Sequence, residues 1–409
     1  MKRLTTASAL ALTAALTVSG PAAAQSQPTT GPVATYWVTA QTTSGMPGMG
    51  GGMGGRNFNP MAMMSGGGAQ RTLTLQLQSS RTAPSPHAEH LPPAVLGVGP
   101  SLPLLTPDTP QGGPDYDRTA PQDYGGSVRM LIYHGCGEAT GAGQPVVIEL
   151  SRNSASQFGA LANNIRLSSP TPPSPGAGRT YGEWPNSRDS QTVPSNGSLV
   201  GQHKVQGDYT PDIAFSLNGD QDFLAPLQLT GVGPNDASGL AWQSVPNARG
   251  YFALTMGANE AGDVIIWSSS DVAIAPGMIP DFLSPGDLDR LITQKVVMPA
   301  TTTRCPIPAA VLAASPQAML RVIAFGGEAD FTYPPRPANR REPWNIEHVV
   351  KVRYGSTATT MLGMDMSEFG ADDEGDGARA QDRDVPALPT VEDAARSLLR
   401  GLGGLRRRN

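Results

Sequence analysis

Apolar and polar residues alternate strictly over residues 72–78, Thr-Leu-Thr-Leu-Gln-Leu-Gln, so Leu73, Leu75 and Leu77 share one face of a predicted strand. Residues 33–42 are β-branched or aromatic at Val33, Thr35, Tyr36, Trp37, Val38 and Thr39, and predict a second strand. Further strands are predicted at 128–134 and 145–150, joined by a turn through Gly135, Cys136, Gly137 and Glu138. The pattern resumes at 201–205 and 211–217 and continues almost unbroken over 224–272, with later strands at 320–325 and 349–354. Helical spacing is confined to short pieces. Ser284-Pro285-Gly286-Asp287 is a helix start with proline at the first position, and Leu288, Leu291 and Ile292 form its apolar side. Near the end, Val391, Ala394, Leu398, Leu402 and Leu405 fall on one stripe behind Thr390, with Asp393 three residues on.

The breaks between these segments set the expected organisation. Residues 1–24 read as a secretory leader: Lys2 and Arg3, an apolar run over 7–18, then Ala22-Ala23-Ala24 before Gln25. An N-terminal β-rich region, 25–165, contains a glycine- and methionine-rich loop at 45–68 and a proline-rich, irregular stretch at 84–121. Residues 166–200, rich in Ser, Pro, Gly and Asn, are the expected linker. A second β region, 201–335, carries an insertion at 276–308. Residues 336–409 hold a last strand, an acidic segment at 366–386 and the terminal amphipathic helix. The fold class expected is mainly β: two antiparallel regions with long Gly/Pro-rich loops and a short C-terminal helix.

The second region resembles a fibronectin type III or immunoglobulin-like sandwich. The resemblance rests on Gly239-Leu240-Ala241-Trp242, then Val245-Pro246-Asn247-Ala248, then Gly250-Tyr251-Phe252-Ala253-Leu254-Thr255. It implies a B-to-C hairpin in which Trp242 closes one strand and Tyr251 packs beside it. The whole chain also resembles uncharacterised exported alphaproteobacterial proteins. Such sandwiches host many activities, so neither resemblance implies a particular one.

Composition sharpens the picture in three places. Glycine and proline number 48 and 39 of 409 residues, and both disfavour helix interiors, which favours strands and loops. Formal charge is −5, and loss of Lys2 and Arg3 with the leader makes it −7, which excludes a general affinity for nucleic acid. The two cysteines, Cys136 and Cys305, suit a disulfide in an oxidising compartment, with two buried thiols as the alternative.

Candidate chemistry is sparse. Met46, Met49, Met53, Met61, Met63 and Met64 lie in the glycine loop, and Met361, Met364 and Met366 form a second group. Thioethers are soft ligands that suit Cu(I) or Ag(I), and His87 and His90 could add imidazoles; a low-complexity contact segment is the other reading. His134 and Cys136 could form a nucleophile pair beside Glu138, although glycines on both sides of Cys136 equally suit a turn that holds a disulfide. The acidic run Asp372-Asp373-Glu374-Gly375-Asp376-Gly377 lacks the closing carboxylate of a calcium loop, because Arg383 stands at its twelfth position. The terminal helix, with Arg396, Arg400 and Arg406 to Arg408, could meet an anionic membrane or a protein groove. No Gly-x-Ser-x-Gly elbow, His-Glu-x-x-His, phosphate loop or dinucleotide fingerprint occurs. These features favour an exported, periplasmic or secreted, non-catalytic binding or scaffold protein of the envelope. A periplasmic soft-metal protein working through its methionines is the second reading, and a hydrolase without a local signature the third.

Overall fold

A computed structural model describes residues 27–45, 68–107, 129–149, 155–233 and 239–363. The expected leader, the methionine loop from Met46 to Met64, the acidic segment and the terminal helix lie outside the described residues.

The chain forms strands β1 (Ala34–Gly45), β2 (Gln70–Ser79), β3 (Ala88–Leu91), β4 (Leu102–Pro103), β5 (Arg129–His134), β6 (Val146–Glu149) and β7 (Thr180–Trp184). These are followed by β8 (Gly201–Gly207), β9 (Ile213–Leu217), β10 (Gly250–Ala258), β11 (Val264–Ser268), β12 (Met298–Pro299), β13 (Ala318–Tyr333) and β14 (His348–Met361). Helices are α1 (Ala155–Ala162), α2 (Pro285–Thr293) and α3 (Ala309–Ala314). The molecule is mainly β, as the alternation predicts.

One ten-stranded sheet runs β6-β5-β11-β10-β13-β14-β1-β2-β7, with β12 paired to β10. It draws strands from both expected regions. The stretch read as a linker supplies β7, which pairs antiparallel with β2 from Leu75↔Trp184 to Ser79↔Thr180. Tyr181 and Trp184 are its buried anchors. Within this sheet the antiparallel expectation needs correction at two ladders, and the short pairing of Thr29–Thr30 with Trp344–Asn345 is a third parallel one. β14 pairs parallel with β1, from His348↔Ala34 to Thr359↔Gly45, and β11 pairs parallel with β5. The second case has a visible cause. β11 reads Val-Ile-Ile-Trp-Ser with every residue buried, the continuous apolar run expected of a strand covered on both faces.

A four-stranded sheet, β9-β8-β3-β4, packs on one face of the large one, making a sandwich-like pair of layers. The main core lies between them: Tyr36, Val38, Leu75 and Leu77 from the large sheet meet Leu102, Val205, Ile213 and Phe215 from the small one. The proline-rich stretch thus supplies two small-sheet strands, β3 and β4. The opposite face of the large sheet is covered in part by helices. Phe158 and Leu161 of α1 sit on Ile132 and Ile266, while Leu288 and Leu291 of α2 sit on Phe252 and Ile323.

Within residues 276–308, read above as an insertion, the helix start is as the sequence predicts. Ser284 caps α2 by accepting from the Asp287 amide at 3.3 Å, and Leu288 and Leu291 are fully buried. The Asp287 carboxylate does something further. It accepts from the Ser168 amide at 2.9 Å, the Ser169 hydroxyl at 2.6 Å and Arg290 at 2.7 Å, and so fastens 168–169 to the helix. Burial opposes its charge, but these donors win and hold it well below the usual carboxylate range.

Around Trp242 the pairing differs from a B-to-C hairpin. Ala241 and Trp242 pair with Leu229 and Thr230, while β10 pairs with β11 and β13. The two rings nevertheless meet, Trp242 and Tyr251 lying 5.3 Å apart.

Candidate functional site

At the end of β5 the chain turns through Gly135, whose φ of +91° is a backbone state that glycine adopts without steric cost. Its amide donates to Ser268 and its carbonyl accepts from the Trp267 indole at 2.9 Å. This fixes Cys136 opposite Cys305, and the two are joined in a disulfide across a sequence separation of 169. Cys305 is fully buried. The sulfur of Cys136 is therefore not a free nucleophile, and His134 is held otherwise: its amide donates to Gln144 and its carbonyl accepts from the same side chain.

The small sheet brings a second group together. His90 on β3 and His203 on β8 are buried beneath Tyr36 of β1. The His203 Nε2 lies 2.7 Å from the Leu199 carbonyl, which can only accept, so that nitrogen carries the proton. His203 Nδ1 is then bare and accepts from His90 Nε2 at 3.2 Å. His90 Nδ1 in turn accepts from the Tyr36 hydroxyl at 2.9 Å. Every ring nitrogen is used and both imidazoles are neutral. Phe215 stacks on His203 at 4.9 Å. Burial, and for His90 also the neighbouring His203, lowers both imidazoles from their ordinary range. This places His90 inside the core, occupied, and apart from the exposed His87, so the two do not form a ligand pair.

On the opposite face of the large sheet, β1, β2 and β14 present polar side chains in register. Thr39 faces Thr74, Gln41 faces Thr72 and Trp37 faces Gln76, with Lys351 and Arg353 alongside on β14. Thr72 is exposed, and Thr39, Gln41, Thr74 and Gln76 are half-buried. The Arg353 guanidinium lies between two rings, 5.0 Å from Trp37 and 4.5 Å from Phe282, and its Nε donates to Thr39 at 2.9 Å. Burial pulls its pKa down to about 10, against Glu328 and Asp281, which favour its charge. Glu328 pairs instead with Lys351 at 2.7 Å and Asp281 with Arg321 at 2.6 Å. The crevice between Arg353, Phe282, Gly326 and Gly327 encloses about 170 Å³, open solvent included. It leaves no space for even a water-sized molecule, so it is not a preformed small-molecule pocket.

The two glycines mark a bulge where the β13–β14 register shifts between Phe325 and Glu328. A Cβ on Gly326 would collide with the Tyr354 carbonyl. Sequence reading missed the imidazole chain. Its only trace was the alternation of β8, which puts His203 on the same face as Val205. The polar face was hidden in the same alternation that revealed the leucines of β2.

Of the methionines, Met361 closes β14, and Gly45, the residue before Met46, pairs with Thr359; Met364 and Met366 lie outside the described residues. No helix among the described residues is long and apolar enough to cross a membrane. No family model matches the sequence, and no curated protein or solved structure is detectably similar to it.

Proposed function

We propose that this chain is an exported, non-catalytic binding or scaffold protein of the bacterial envelope that meets a protein partner through the polar face of its large sheet. The observation that carries this reading is the row structure of that face. Thr39, Gln41, Thr72, Thr74 and Gln76 stand in register and are at least partly exposed. Lys351 and Arg353 on the next strand are balanced by Glu328 and Asp330 on β13. Uncharged hydrogen-bonding groups flanked by balanced charges suit a polar protein surface; a lipid surface would favour apolar groups with an excess of cations. The Cys136–Cys305 bridge supports the exported part, since disulfides persist chiefly outside the cytosol. A membrane or groove contact through the helix expected over residues 390–405, outside the described residues, belongs to the same proposal as a second anchor.

The test is a photo-cross-linking residue placed in the living envelope at Thr74, with Gln202, exposed on β8, as the control. A discrete adduct from Thr74 and none from Gln202 is expected. Equal labelling at both positions, or none at Thr74, would overturn the reading.

A further inference from the structure

The large sheet ends in a row of thioethers. Met256 on β10 stands opposite Met319 on β13, and Met319 stands opposite Met361 on β14. Directly opposed residues of antiparallel strands project to the same face, with Cβ atoms about 4.5–5.5 Å apart. All three side chains therefore share one face, and all three are half-buried. Toward the β6 edge of the sheet the row continues through Ile266, opposite Met256, and Ile132, opposite Ile266, both buried against α1.

The residue type changes where the row reaches solvent. Beneath α1 it is isoleucine, the branched side chain that pleated packing favours. On the three central strands, where β10 and β14 end and β13 begins, it is methionine three times over, an unbranched chain that is a less natural strand former but carries a polarisable sulfur. The outer two strands lie roughly 10 Å apart, twice the strand spacing. Flexible methionine side chains leaning toward the middle one can bring their sulfurs around a single ion. Arg321, two residues along β13, is paired with Asp281 at 2.6 Å and so adds no unbalanced charge beside the row.

We propose that Met256, Met319 and Met361 form a binding site for a soft monovalent metal ion, Cu(I) or Ag(I). Three neutral thioethers select a soft cation over Zn(II), Mg(II) or Ca(II), which take nitrogen, thiolate or oxygen donors. The ion keeps its charge and no electron moves. The site stands on residues separate from the polar face, so it holds or fails independently of the proposed partner.

The experiment uses the full chain with ¹³C-labelled methionine methyl groups, titrated with silver nitrate in chloride-free buffer. The Met256, Met319 and Met361 methyl signals should shift together and saturate at one equivalent, and zinc should leave them in place. Met319→Leu, a swap that conserves volume, should weaken silver binding at this site at least ten-fold. Replacing Met46, Met49, Met53, Met61, Met63 and Met64 by leucine should leave the three shifts intact. The proposal is overturned if these signals stay still while silver is present in excess. It is equally overturned if the Met256 and Met361 shifts survive undiminished in Met319→Leu, or disappear when only the Met46–Met64 positions are changed. The wild-type titration decides the matter even if Met319→Leu does not fold.

Discussion

His90 and His203 are the residues whose chemistry depends most on their surroundings. Each is neutral because the chain from Tyr36 to the Leu199 carbonyl supplies one proton per contact. An added proton would set two N–H groups against each other across 3.2 Å inside the core. Their folded pKa values lie below the ordinary histidine value, so the unfolded chain takes up protons first as pH falls. Stability is therefore fully present above about pH 6.5 and declines below it, by up to about 1.4 kcal/mol per pH unit for each histidine. Urea unfolding between pH 7.5 and pH 5 should show this limb, and His203→Gln should make it shallower by about one proton. An unchanged slope in that variant would show that the chain does not titrate as described.

At the scale of elements, α2 is tied down by two different mechanisms. Leu288 and Leu291 bury its apolar stripe, and Asp287 clasps the Ser168–Ser169 segment. Removing the carboxylate leaves the Ser168 amide without its acceptor and takes from Arg290 its ion-pair partner, leaving it Gln294 and the Arg166 carbonyl. Asp287→Ala should cost roughly 2–4 kcal/mol, the range for breaking a buried, charge-assisted network. Equilibrium unfolding would check it, and a loss below about 0.5 kcal/mol, the size of an ordinary surface substitution, would argue that the clasp is incidental. The helix start was legible, because capping is local. The clasp was not, since Ser168 and Asp287 are 119 residues apart. β7 was likewise passed over: five residues with a glycine, set among Ser and Pro, carry too little alternation to be seen as a strand. Tyr181 and Trp184 mark it only once β2 lies beside them.

For the whole molecule, the Cys136–Cys305 bridge ties the turn after β5 to the segment before α3. Closing so long a loop stabilises chiefly by restricting the unfolded chain, and about 5 kcal/mol is the upper figure of that model. The double variant Cys136→Ser, Cys305→Ala should unfold at lower denaturant concentration, by the equivalent of about 2–5 kcal/mol. An unshifted midpoint would mean that the hydrogen bonds of Gly135 to Ser268 and Trp267 hold the turn without the bridge.

Sequence alone determined what depends on near neighbours: the β character, the leucine face of β2, the α2 cap and the cysteine pair as a bridge candidate. Side-chain alternation and capping are properties of a few adjacent residues, and they survive in a linear reading. Tertiary structure decided which strands meet. It placed β1 parallel to β14 across some three hundred residues, drew the expected linker into the sheet, and aligned Met256, Met319 and Met361 in one row. Strand pairing is a contact between distant segments. No local pattern encodes its partner, and a shift of one residue would turn every side chain to the other face.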